Sequence, residues 1–164
     1  MRKDPLLQWK EFFSFRTSFK TIRTAILIND KLPEDTKSAS RVIWKALRNG
    51  KSVVYNHSMG SIEDFDFRYI DAEKKSYYIS DQVPYRPGGR IFVSVPETSE
   101  IVIRRNGEPL FWGTGTTFEF PAPVHGVYRV EAYRDRRLWI LSNSIRISSL
   151  EKLQVPPDSI SDFT

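Results

Sequence analysis

The sequence has little of the chemistry on which most metal and redox sites depend. Cysteine is absent from the 164 residues and histidine occurs twice, at His57 and His125. The lack of cysteine excludes a disulfide framework and any thiolate zinc site. Long apolar runs are also absent, since the longest uninterrupted aliphatic stretch is residues 25–28. We therefore expect a soluble chain with no signal peptide or membrane span, in a compartment that the sequence leaves unknown.

What is present indicates a folded module. The chain is 40% hydrophobic and 13% aromatic, which argues against disorder. Its length is that of one domain of ordinary size. The net charge is +5, but the 20 acidic residues are scattered among the 25 basic ones, as on a solvated surface.

From residue 52 onward the sequence is typical of an antiparallel sheet. Short segments rich in β-branched and aromatic residues alternate with turn residues. Asn106-Gly107 predicts a tight hairpin, because both residues tolerate positive φ, and residues 134–136 predict a second reversal. The predicted strands are residues 52–55, 65–70, 76–80, 90–95, 100–105, 109–112, 117–120, 127–133, 138–141 and 145–147.

The first part of the chain carries helical patterns. Apolar residues between Leu6 and Ile22 recur at mixed spacings of three and four, which predicts one broken or two short helices. A second helix is predicted to begin at Asp35 or Thr36 and to exit through Gly50. Its apolar stripe must be covered by the sheet or by a partner. The stripe consists of Ala39, Val42, Ile43, Ala46 and Leu47.

Four segments carry a family resemblance. Residues 126–147, G-V-Y-R-V-E-A-Y-R-D-R-R-L-W-I-L-S-N-S-I-R-I, resemble the ending of many metal-dependent hydrolases with a PHP (polymerase and histidinol phosphatase) domain. Residues 14–27, S-F-R-T-S-F-K-T-I-R-T-A-I-L, resemble a helix of that family. Residues 43–55, I-W-K-A-L-R-N-G-K-S-V-V-Y, resemble its helix-turn-strand, and residues 64–67 fall where the family has G-F-x-F. Ser144 and Arg146 depart from the family's usual Pro and Tyr.

The resemblance implies an α+β fold, with N-terminal helices followed by an immunoglobulin-like antiparallel β-sandwich. It divides the chain into a remnant of the PHP-type domain at 1–83, the sandwich at 84–149 and a flexible tail at 150–164. The family's metal ligands would all lie upstream of this chain. The resemblance therefore implies no catalytic residue, cofactor or metal here, with divalent ions belonging to a missing catalytic barrel of a phosphoesterase-like parent.

The function implied is that of a non-catalytic accessory module. Its expected partner is the missing barrel, or another protein that covers the apolar face of the helix, with no membrane. The alternative is a stand-alone β-sandwich domain that binds carbohydrate or an anionic polymer. Its candidate surface, of ligand or interface type, is Tyr128, Tyr133, Trp139, Asn143 and Arg136. Cross-strand packing of Tyr128 and Trp139, and a local turn at Ser142-Asn143, explain the same residues without a ligand.

Two further clusters have a functional and a structural interpretation. Arginines at the predicted hairpin tips, beside Trp112 and Tyr133, are of the type that binds nucleic acid, but the acidic residues among them argue against that partner. Glu63, Asp64 and Asp66 near His57 offer oxygen ligands for a divalent ion. Strand alternation instead predicts that Asp64 and Asp66 lie on an exposed polar face.

Overall fold

The structure is a computed structural model, and it describes residues 21–28, 31–122 and 124–149. Within these ranges one helix of several turns, α1 (Thr36–Arg48), and a short 3-10 helix (His57–Met59) accompany ten strands. The strands are β1 (Ile22–Ile26), β2 (Ser52–Asn56), β3 (Asp66–Ile70), β4 (Ser76–Tyr78), β5 (Gln82–Pro84), β6 (Arg90–Arg105), β7 (Glu108–Pro121), β8 (Gly126–Arg134), β9 (Arg137–Ser142) and β10 (Ile145–Ser148).

All ten strands belong to one curled sheet that is built around β6. One edge of β6 pairs along its length with β7, while the other edge pairs with β3 at its start and with β8 at its end. The opposite edge of β8 pairs with β9 and β10, and the sheet continues from β9 through β2 to β1. The pairing of β5 with β10 is parallel, and the other pairings are antiparallel.

The inner face of this sheet forms a single apolar core. Alternate residues of β6, Ile91, Val93, Ile101 and Ile103, are fully buried, as expected of strands with one face turned inward. Trp139 on β9 belongs to the same cluster. Strands from both sides of Pro84 contribute to it, because β3 pairs with β6 and β5 with β10. The predicted boundary between a remnant of a PHP-type domain at 1–83 and a sandwich at 84–149 stays a prediction.

The predicted fold class is wrong. The described residues are predominantly antiparallel β in a curled sheet, not an α+β arrangement with N-terminal helices. Residues 22–26, predicted as the end of a helix, form β1 and pair with β2 from Ile22↔Asn56 to Ile26↔Ser52. The β-branched residues Ile22, Thr24 and Ile26 suit a strand as well as a helix face, and the available edge of β2 decides the outcome. The helical pattern between Leu6 and Phe19 lies outside the described residues, as does the predicted tail.

The second helix is confirmed, with both of its ends. The Asp35 carboxylate accepts hydrogen bonds from the amides of Lys37 at 3.1 Å and Ser38 at 2.8 Å. These bonds, led by those to Ser38, hold the pKa of Asp35 below its ordinary value. Gly50 leaves the helix with φ of 70°, as the left-handed exit requires. The predicted apolar stripe is only partly covered, because Ala46 is buried while the rest of the stripe is half-buried.

Several predicted strands are longer or joined in the structure. The predicted pair 90–95 and 100–105 forms one strand, β6, whose register against β7 shifts between Ser94 and Ser99. Such a bulge allows a strand to continue past an interruption in pairing. The hairpin at Asn106-Gly107 is confirmed, with φ of 52° and 92°, and so is the reversal at Asp135-Arg136. β5 was not predicted, since three residues give no periodicity to detect.

Candidate functional site

A polar and aromatic surface covers the outer face of β6, β7 and β8. Directly opposed residues of neighbouring strands lie on the same face. Trp112 on β7 opposes Val102 on β6, which in turn opposes Glu131 on β8. Two residues away, Glu100 opposes Tyr133 on β8. Because Ile101 and Ile103 point into the core, these intervening residues form the outer surface, which we call the β6–β8 face.

Glu131 is the fixed centre of the β6–β8 face. It is buried, and its Oε1 accepts hydrogen bonds from Arg104 Nε at 2.8 Å and from Arg129 Nη2 at 2.9 Å. Its Oε2 accepts a hydrogen bond from the Tyr133 hydroxyl at 2.8 Å. Arg104 also donates to the carbonyl of Gly107 at 3.1 Å, which ties the cluster to the hairpin turn. The three donors therefore hold one another in place around a single carboxylate.

The charges of this cluster are mutually stabilised. Burial alone would raise the pKa of Glu131, but the hydrogen bonds from Arg104, Tyr133 and Arg129 outweigh it and lower that pKa. Burial raises the pKa of Tyr133, and the bond that its hydroxyl donates to Glu131 adds to the effect. The hydrogen bond to Glu131 raises the pKa of Arg104. At neutral pH the Glu131 carboxylate and the Arg104 guanidinium are thus ionised, and the Tyr133 phenol keeps its proton.

Beside this cluster lie two shallow clefts that form one groove. The first, of about 250 Å³, is lined by Trp112, Pro109, Val102, Arg104, Glu100, Tyr133 and Arg136. The second, of about 350 Å³, extends toward the turn between β8 and β9. Both are lined by Glu100, Tyr133 and Arg136. Trp112 has 67% of its surface exposed, so its ring is available at one end of the groove.

The structure brings together only part of the predicted ligand surface. Tyr133 and Arg136 line the groove, whereas Tyr128 and Trp139 are buried, at 0% and 1% exposure. The Tyr128 hydroxyl donates to the carbonyl of Val124 at 2.5 Å. Asn143 is exposed, and its Oδ1 accepts a hydrogen bond from the amide of Ser144 at 3.0 Å, which is the local turn expected of it.

Trp139 instead packs in the core, where Arg134 covers its ring. The guanidinium of Arg134 lies 4.9 Å from the centroid of its ring. Arg134 also pairs with Glu97 at 2.7 Å and donates to the carbonyl of Met59. One arginine thus joins the loop after β2, the bulge of β6 and the end of β8 over the indole ring.

Sequence reasoning missed the role of Trp112. In the sequence Trp112 stands only as a neighbour of the hairpin arginines, and the pattern predicts an interruption of the strand after residue 112. The sequence carries only a weak signal, since apolar residues stand next to each other at positions 110–112, and the pairing of Trp112 with Val102 decides its face. That register places it on the same face as the polar residues of β6.

The acidic residues near His57 form no comparable centre. Asp66 pairs with Arg68 at 3.3 Å, and burial raises its pKa against the opposing effect of that arginine. Within residues 21–28, 31–122 and 124–149, no three His, Asp or Glu side chains are grouped so that they can hold a metal ion. The same ranges contain no helix that is long and apolar enough to cross a bilayer.

Comparison of the chain with protein-family models, with curated proteins and with solved structures gives no significant match in any of the three. The resemblance to PHP-domain proteins therefore rests on the quoted motifs alone.

Proposed function

We propose that this chain is a binding module that holds a carbohydrate chain on the β6–β8 face. The observation that carries the proposal is the 67% exposure of Trp112 at the end of a groove that is also lined by Tyr133, Glu100 and Arg136. An exposed aromatic ring at the end of a groove with polar side chains offers both kinds of contact that a ligand site uses. The apolar face of a sugar ring packs on an indole, while its hydroxyl groups need polar neighbours.

The surroundings of Trp112 support a sugar over an apolar ligand. Glu100 accepts hydrogen bonds from hydroxyl groups, and Arg136 donates to ring and hydroxyl oxygens. Val102 provides an apolar floor between them, since it opposes Trp112 and is buried. The groove is open along the face, so an oligosaccharide of several units suits it better than a single compact molecule.

The rigidity of the cluster around Glu131 supports the same proposal. Weak ligands such as sugars are held best by groups that need no reordering on binding. Tyr133, which lines both clefts, is fixed by its hydrogen bond to Glu131. Arg104 is fixed at two points, by Glu131 and by the Gly107 carbonyl.

The test is affinity electrophoresis against a panel of soluble neutral polysaccharides, followed by titration with the matching oligosaccharides. Trp112→Ala is expected to abolish retardation, and Tyr133→Phe to weaken it. Trp44→Ala is the matched control, because Trp44 is similarly exposed, at 63%, but lies on α1 away from the groove. Retardation of Trp112→Ala equal to that of the wild type, or none for any polysaccharide, would overturn the proposal.

A second candidate is the accessory module of a PHP-type phosphoesterase-like protein. The order of the motifs along the chain supports it. One of these motifs, residues 43–55, folds as the end of a helix, a turn and a strand. On this proposal the chain has no turnover of its own. The measurement is phosphodiesterase and phosphomonoesterase activity of the purified chain with added manganese or zinc, beside metal quantification. Turnover with bound metal would contradict the non-catalytic role.

A further inference from the structure

The outer face of α1 carries an unusual distribution of charge. The helix contains Lys37, Arg41, Lys45 and Arg48 and no acidic residue, in a chain whose net charge is +5. At 3.6 residues per turn, these four positions fall within an arc of about 80° and extend over about 17 Å of the axis. None of the four side chains forms an ion pair with a residue that the structure describes.

The stability of the helix does not explain this arrangement. Lys45 and Arg48 lie in the last turn, where cations interact well with the helix dipole. Lys37 lies in the first turn, which holds no acidic residue, so its charge opposes the dipole. Like charges four residues apart, as in Lys37, Arg41 and Lys45, repel one another. A surface that carries charge of one sign attracts ligands of the opposite sign.

Trp44 borders this stripe. It lies about 20° outside the arc of the four cations, and 63% of its surface is exposed. A cleft of about 630 Å³ is lined by Trp44 together with Arg41, Lys45, Arg48 and Asn49. The apolar residues of α1 lie on the opposite side, where Ala46 is buried. Among the residues that the structure describes, those that line this cleft beside the indole are three cations and an asparagine, with no second apolar side chain.

We infer that this stripe, Lys37, Arg41, Lys45 and Arg48, together with Trp44 at its border, binds single-stranded nucleic acid. The cations follow a line with steps of about 6 Å along the axis at i and i+4, which complements a linear polyanion. Proteins that hold unpaired strands combine a positively charged track with an aromatic ring on which a base stacks. An exposed indole beside the track gains that contact only from an unpaired base, because the bases of a duplex are already stacked.

An anionic membrane is a poorer match to the same charges. A helix that lies on a bilayer buries a broad apolar face in it. In α1 that face is directed away from the stripe and is partly covered within the protein, which leaves one tryptophan to insert. The arginines beside Trp112 and Tyr133, which are of the type that binds nucleic acid, lie elsewhere, at the hairpin tips, and Arg104 is already engaged by Glu131.

The experiment is fluorescence anisotropy of a labelled oligouridine titrated with the full chain at low and at physiological salt. We expect affinity to fall steeply with salt, with a slope of about −0.7 per phosphate contact. The triple variant Arg41→Gln/Lys45→Gln/Arg48→Gln should reduce that slope by about 2. Trp44→Ala should weaken binding by about tenfold, and Trp44→Phe should retain most of it because the phenyl ring still stacks.

The controls separate this surface from the β6–β8 face. Arg136→Gln/Arg137→Gln removes two exposed charges from the turn between β8 and β9, and Trp112→Ala removes the groove tryptophan. Both should bind oligouridine as the wild type does. Circular dichroism should show that the α1 variants stay folded, since their side chains are exposed. Polysaccharide binding by the triple variant should be unchanged, so failure of one proposal is distinguishable from failure of the other.

Three results would overturn the inference. One is wild-type affinity in the triple variant. Another is binding of duplex RNA that equals or exceeds the binding of oligouridine, because the Trp44 indole would then not be stacking on an unpaired base. The third is binding to vesicles rich in phosphatidylserine without binding to oligouridine, which would assign the stripe to a membrane surface.

Discussion

The Glu131 carboxylate on β8 and the Arg104 guanidinium on β6 are joined across neighbouring strands at 2.8 Å, with the carboxylate buried and the arginine partly exposed. Glu131→Gln keeps the shape and removes the charge that three donors share. Because hydrogen bonds to charged groups contribute more than neutral ones, we expect the free energy of unfolding to fall by about 1–3 kcal/mol in urea titrations. Glu119→Gln is the matched control. It breaks an exposed cross-strand pair with Arg90 and should cost less than about 0.5 kcal/mol. Equal losses in the two variants would contradict the central role of Glu131.

The lowered pKa of Glu131 also predicts how stability depends on pH. A carboxyl group whose pKa is lower in the folded protein stabilises it above the ordinary value, here 4.5, and that contribution is lost as pH falls through the folded pKa. Asp66, with a raised pKa, acts in the opposite sense. The difference in melting temperature between the wild type and Glu131→Gln isolates the first group. That difference should be largest near neutral pH and shrink in acid, and a constant difference would count against the shift.

Gly89 leaves space that the Tyr69 ring occupies. A Cβ at Gly89 would overlap the Tyr69 phenol, whose side chain is fully buried and whose hydroxyl faces the Arg86 carbonyl at 3.4 Å. We expect Gly89→Ala to destabilise the protein by about 1–3 kcal/mol through overpacking. In a Tyr69→Leu background the shorter side chain should remove most of that additional loss. A double-mutant cycle by chemical denaturation measures this coupling, and strict additivity would argue against the overlap.

The N-terminal cap of α1 rests on one side chain. Asp35 accepts two amide hydrogen bonds, and Asp35→Ala should therefore lower stability by about 1 kcal/mol. Glu34→Ala removes a neighbouring exposed acidic residue outside these hydrogen bonds and should have little effect. Thermal unfolding followed at the helix band of circular dichroism makes the comparison, and indistinguishable melting temperatures would show that the cap contributes nothing.

The fold was predictable from the sequence where the signal was local. The cap at Asp35, the exit at Gly50 and the turn at Asn106-Gly107 depend on the conformations of individual residues, and the structure confirms each. The fold class failed because Ile22–Ile26 satisfies both periodicities, and its pairing with β2 depends on residues almost thirty positions away. The curl of the sheet depends on β6 pairing with different strands at its two ends, which no local pattern encodes.

The candidate site was predictable only in part for a related reason. Tyr133 and Arg136 lie where the sequence placed them, beside a turn. Tyr128 and Trp139 looked equally suitable for a ligand, but both point inward. Which face of a strand is buried is set by its register against neighbours, and a shift of one residue exchanges the two faces. Trp112 could be assigned to the outer face only once its pairing with Val102 was known.

The long strand β7 pairs with β6 along one edge, and among the described residues its other edge has no strand partner. A free edge of 14 residues offers backbone groups to any strand of another molecule that approaches it. Pro109 and Pro121 stand near its two ends without an amide hydrogen, and Gly113 and Gly115 weaken its middle as a template. These prolines and glycines contribute little to the core. They nevertheless keep the free edge of β7 from pairing with the sheet of a second molecule.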